Sequence, residues 1–82
     1  MNAELRQAAR AAHPEMILLY RVGDFYELYD DDATRIGDYL GLRVVTRSGE
    51  PMAGFPHQVL EKYLTRLLNA GHRVAICEPV TP

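Results

Sequence analysis

Phe25 and Glu27 stand two residues apart in the run Arg21-Val22-Gly23-Asp24-Phe25-Tyr26-Glu27-Leu28, just after a glycine. In an extended segment residues i and i+2 project from the same face, so Phe25 and Glu27 point together while Tyr26 and Leu28 point the other way. One face can then stack on a planar group and hydrogen-bond to it at once. A carboxylate aimed at nucleic acid is repelled unless it accepts a donor from a base edge or carries a proton. An acid beside an aromatic wedge therefore reads as a specificity device for a disturbed base. Taken singly, Phe25 would be a core residue, because aromatic side chains beside strands mostly pack inward, and Glu27 a solvated surface acid. Their pairing raises the functional reading.

Other chemistry-bearing residues form weaker constellations. Asp24, Glu27 and the acids Asp30, Asp31 and Asp32 are candidates for magnesium-dependent phosphodiester cleavage. Such sites usually add a lysine, and the sole lysine, Lys62, falls on a helix whose apolar stripe has a packing role. The run Asp30 to Asp32 reads as a helix cap rather than a metal cluster. His13, His57 and His72 have no mutual ligand spacing, which argues against zinc. Cys77 is the lone cysteine, so it has no internal disulfide partner. In Val74-Ala75-Ile76-Cys77 it reads as a small apolar strand residue without a neighbouring activating base.

The chain has 82 residues, 48% of them hydrophobic, and a net charge of -2. A chain of this length forms one small domain, burying somewhat more than roughly 60% of its unfolded surface. No apolar run approaches the roughly 18 residues that span a membrane. The start, Met1-Asn2-Ala3-Glu4-Leu5-Arg6, lacks a secretory signal pattern, so cytoplasmic residence is the expectation. The acidic balance argues against nucleic acid, but the distribution softens that objection. Acids gather at Asp24, Glu27, Asp30, Asp31, Asp32 and Asp38, whereas from 42 to 73 Arg43, Arg47, Lys62, Arg66 and Arg73 face only Glu50 and Glu61. Arginine supplies eight of the nine cations, which favours bidentate or stacking contacts.

Those residues need elements to hold them. Residues 3 to 12 are strong helix formers stopped by His13-Pro14. Met16 to Val22 reads as a buried strand bending at Gly23. A helix capped by one of Asp30 to Asp32 follows, with Ala33, Ile36 and Leu40 inward and Gly41 ending it. Leu42 to Arg47 reads as a strand, Ser48 to Pro51 as a turn, and Met52 to Pro56 as a short strand completing a hairpin-like excursion. Gln58 to Ala70 is helical, with Val59, Leu60, Tyr63, Leu64, Leu67 and Leu68 on its apolar face. Arg73 to Glu78 is a final strand. Tyr20, Tyr26, Leu28, Tyr29 and Tyr63 are assigned to packing. The order helix, strand, helix, two strands, helix, strand predicts an α/β (α+β type) fold, a small mixed β-sheet flanked by helices.

Across RVGDFYELYDDDA, PMAGFPHQVLEKYL and VAICE, the chain resembles the N-terminal mismatch-recognition domain, domain I, of the DNA mismatch repair protein MutS. The likeness runs from about Leu5 to Pro82. It implies that Phe25 enters the minor groove and stacks on a mispaired or unpaired base while Glu27 hydrogen-bonds that base. It also implies that Val22, Gly23 and Asp24 line the groove, with Met52 and Pro56 near the wedge. Arg47 joins these candidates at the start of a connection to Met52 that is several residues shorter than in the family. The implied partner is double-stranded DNA with a mismatch or small loop, together with the remaining MutS domains or a MutS-like dimer, and no membrane. Location at the nucleoid follows from the same likeness. No G-x-x-x-x-G-K-[ST] phosphate loop is present, so no enzyme activity and no cofactor is expected, ATP and magnesium belonging to a full-length relative. The sequence stops after Val80-Thr81-Pro82, where the family adds another strand, so the sheet is expected to lack an edge. A module that keeps the fold but binds protein instead of DNA is the alternative.

Overall fold

A computed structural model describes residues 2–78. Helix α1 (Ala3–Ala12) begins at Asn2, whose side chain accepts the Leu5 N–H, and stops at His13 ahead of Pro14. It is followed by strand β1 (Ile17–Val22), strand β2 (Phe25–Tyr29) and helix α2 (Asp30–Leu40). Strands β3 (Val45–Arg47) and β4 (Glu50–Pro56) come next, then a single 3-10 turn (His57–Val59), helix α3 (Leu60–Asn69) and strand β5 (Val74–Cys77). The five strands form one sheet in the order β3-β4-β2-β1-β5, antiparallel except where β5 runs parallel to β1. This is the expected small mixed sheet flanked by helices. No described helix is long and apolar enough to cross a membrane.

Strand periodicity divides the apolar residues between two faces. Ile17, Leu19, Tyr26, Leu28, Ala53 and Phe55 meet Ile36 and Leu40 of α2 and Leu67 of α3 in the larger core. Leu18, Tyr20, Tyr29 and Met52 form a smaller cluster on the other face, joined by Ala9 of α1. The sheet is thus covered on both sides, which explains the uninterrupted apolar run of β1.

Four expectations need correction. Phe25–Tyr29 is a strand in its own right, missing from the predicted order. The helix after it is not capped by an aspartate side chain: Tyr29 occupies the cap position without a side-chain bond. Asp32 instead accepts from Arg10 Nη2 at 2.6 Å and from the Leu18 N–H at 3.1 Å. Of Leu42 to Arg47 only Val45–Arg47 pairs, all three residues being exposed. On α3, Leu67 is fully buried but Leu68 is 52% exposed, with no described element over that side. The expectation of a missing edge strand after Val80-Thr81-Pro82 concerns residues outside the described range.

Candidate functional site

β1 and β2 form a hairpin closed by the two-residue turn Gly23-Asp24, with Val22 paired to Phe25. A two-residue turn that matches strand twist needs positive φ at its first central position, and Gly23 has φ 58°. The Asp24 carbonyl accepts the His57 N–H at 2.8 Å, tying the turn to the end of β4. Phe25 is therefore held at the tip of the sheet by Val22 on one side and Pro56 on the other. It belongs to neither core cluster and is 47% exposed. A phenyl ring left half in water on a short, well-anchored hairpin is unusual for a packing residue.

Glu27 follows on the same face, 7% exposed, with Tyr20 and Gly54 as its strand neighbours. A Cβ at Gly54 would come within 3.2 Å of the Tyr26 carbonyl oxygen and 3.5 Å of Glu27 Cγ, so glycine leaves the carboxylate its space. A buried carboxylate is costly unless paired and hydrogen-bonded. The Tyr29 hydroxyl donates a hydrogen bond to Glu27 Oε1, and Arg47 Nη1 stands 3.7 Å from Oε2. Burial first, then the hydrogen bond and charge of Glu27, push the Tyr29 phenol up to about 12, so it remains a donor at neutral pH. The Arg6 guanidinium of α1 lies 4.4 Å over the Tyr29 ring and is ion-paired with Glu50, the residue opposite Arg47 on the β3–β4 hairpin. Tyr20, Tyr29, Arg47 and Gly54, from four strands, thus surround the acid.

Phe25, Glu27, Arg47 and Met52 share the walls of a shallow cleft of about 310 Å³ with Arg43, Val45, Ala53 and Gly54. The cleft has an apolar floor, one acid and two arginines at its rim, which suits a planar, partly polar group attached to an anionic backbone. Among the sequence candidates, Val22 and Pro56 are the strand partners of Phe25 on either side, while Gly23 and exposed Asp24 make the turn beside it. Met52 is buried at 7% and supports the floor. Sequence pattern gave Tyr29 a packing role only, counted Arg43 among the cations of the second half without placing it beside Phe25 and Glu27, and did not single out Arg6. The signal for Tyr29 was available, since the i, i+2, i+4 rule puts Phe25, Glu27 and Tyr29 on one face.

The acidic run does not join this site. Asp32 serves Arg10 and Leu18, and among the described residues no group of three or more His, Cys, Asp or Glu is arranged to hold a metal ion. A larger groove of about 760 Å³ lies between α1 and the start of α2. Two of its arginines, Arg6 and Arg10, are already engaged by Glu50 and Asp32, so we place the chemistry at the smaller cleft. In comparison with known proteins, residues 6–82 match the model of MutS domain I, which connects this fold with DNA mismatch repair and DNA binding.

Proposed function

Because the chain belongs to the MutS domain I family, we propose that residues 1–82 form a single module that reads mispaired or unpaired bases for DNA mismatch repair. Phe25 enters the minor groove and stacks on the disturbed base, and Glu27 accepts a hydrogen bond from that base. Val22, Gly23 and Asp24 lie along the groove, Met52 and Pro56 back the wedge, and Arg47 with Arg43 meets the sugar-phosphate backbone. The observation that carries this reading is the half-exposed Phe25 ring at a rigid hairpin tip, with a carboxylate next to it on the same face.

The physics of the step is that of an apolar wedge. Unstacking a base step costs a few kcal/mol, and less where pairing is already broken. A wedge that pays this cost everywhere but recovers stacking only at a weakened step discriminates by deformability, with little sequence readout. The module is a binding unit and not an enzyme, and it uses no cofactor of its own. ATP and magnesium act in other domains of a full-length relative. Its partners are the kinked duplex and the rest of a MutS chain or MutS-like dimer, in the cytoplasm at the nucleoid. Bending a duplex costs of order 1 to 6 kcal/mol, so a footprint this small binds weakly by itself.

The test is binding at low salt to a homoduplex, a single G·T mismatch and a one-base loop, with wild type and Phe25→Ala. Preference for the last two in wild type, lost in a folded Phe25→Ala variant, is the expected result. Equal binding to all three DNAs would count against mismatch reading, and no binding to any of them would favour a protein-interaction module. Magnesium-dependent cleavage would favour a nuclease, and unfolding of Phe25→Ala would make the ring a structural residue.

A further inference from the structure

We propose that Tyr29 is a positioning residue for Glu27: its hydroxyl fixes one carboxylate oxygen so that the acid presents the other to the base. The inference rests on the mismatch-reading function proposed above and adds to it a residue outside the wedge-and-acid pair. Two facts of geometry support it. Tyr29 shares the face of Phe25 and Glu27 and donates to Glu27 Oε1, whereas Oε2 is the oxygen nearest Arg47, at 3.7 Å, and Arg47 is a residue of the cleft wall. Tyr29 is itself over-determined, because Tyr20 packs edge-on against its ring at 5.6 Å and Arg6 stacks over it at 4.4 Å.

An unrestrained glutamate has several side-chain conformations, and ordering one on binding opposes association. With Oε1 already occupied by a buried phenol, the carboxylate is set before DNA arrives, and only Oε2 is left to bond a base. A carboxylate accepts and does not donate, so a base edge carrying an N–H satisfies it. Arg47 has 61% of its side chain exposed and sits beyond ordinary hydrogen-bond range of the acid. It can turn toward a phosphate as the base takes its place.

The experiment is a double-substitution cycle on mismatch preference, defined as the ratio of affinity for a one-base loop to affinity for the matching homoduplex. Wild type, Tyr29→Phe, Glu27→Gln and the double variant are measured, with thermal melts confirming that each is folded. Tyr29→Phe keeps the ring and its contacts and removes only the donor. It is expected to lower the preference by roughly tenfold, about one charge-assisted hydrogen bond, while homoduplex affinity stays unchanged. In the Glu27→Gln background the same substitution is expected to have little further effect, because the phenol acts through the acid. Unchanged or increased preference in Tyr29→Phe overturns the inference, as does an equal loss in both backgrounds, which would mark a purely structural role. If wild type itself has no mismatch preference, the proposed function fails and this inference with it. A wild type that prefers the loop beside an unaltered Tyr29→Phe overturns the positioning role alone.

Discussion

Asp32→Ala perturbs the joint between α2 and the sheet, and its cost follows from two named bonds. Leu18 is 1% exposed and lies on β1 below the stretch where β2 pairs with it, which covers Tyr20 to Val22. Its N–H finds its acceptor in Asp32 Oδ2 at 3.1 Å, so a side chain continues the ladder where the neighbouring strand has already turned into a helix. The same oxygen holds Arg10, which also donates to the Met16 carbonyl at 2.7 Å and so pins α1. Alanine leaves a buried N–H without its acceptor, which costs about 1 to 3 kcal/mol. Loss of the partly exposed ion pair adds up to about 1 kcal/mol. The sum is about 1 to 4 kcal/mol, and in a domain this small each kcal/mol moves Tm by roughly 4 to 8 °C. Thermal unfolding followed by circular dichroism should therefore place Asp32→Ala roughly 4 to 30 °C below wild type. Asp32→Asn keeps an oxygen for Leu18 and gives up only the charge, so it should lie between the two. A change within about 0.5 kcal/mol for alanine, the range of an ordinary surface substitution, would refute the reasoning. So would an asparagine variant as damaged as the alanine one.

Two further outcomes follow from the same packing. Leu67→Ala should destabilise by about 2 to 5 kcal/mol, as fully buried leucines do, whereas Leu68→Ala next to it should stay within about 0.5 kcal/mol, both read by urea unfolding. Alkaline titration should erode stability from about pH 10 upward. The folded Tyr29 phenol is raised to about 12, and burial raises Tyr20 as well. Between the unfolded and folded values the native state holds more protons, so stability is intact below the unfolded value and falls as pH rises through the folded one. Tyr29→Phe should lessen this fall, and a stability curve of unchanged slope in that variant would contradict the assignment.

Much of this architecture is written locally in the chain. Pro14 and Gly41 end helices through rules that involve only neighbouring residues, and the 3.6-residue spacing of Val59 to Leu67 needs no tertiary knowledge. β2 escaped notice because it runs straight into α2. Tyr29 is both the last strand residue and the helix cap, with Asp30 at φ 56° and no Gly or Pro to mark the junction. Leu42 and Val44 have strand composition, yet only Val45 to Arg47 pairs with β4, although β4 runs on past Met52 to Pro56. Periodicity also could not reveal that Leu68 has no described element over it. The site divides in the same way. Phe25 and Glu27 were legible from i, i+2 spacing, whereas Arg6 over Tyr29 joins a helix residue to a strand residue distant in sequence and depends on how α1 docks.

If Phe25 meets the disturbed base as proposed, the chain supplies its own control for testing it. It contains two phenylalanines, Phe25 at the hairpin tip and Phe55 at 2% exposure in the core. In NMR spectra of protein with labelled phenylalanine rings, a duplex carrying one unpaired base should shift the Phe25 ring signals and give direct ring-to-base contacts, leaving Phe55 in place. A Phe25 ring that keeps its free-state signals under saturating loop DNA, with shifts appearing elsewhere on the surface, would contradict the account.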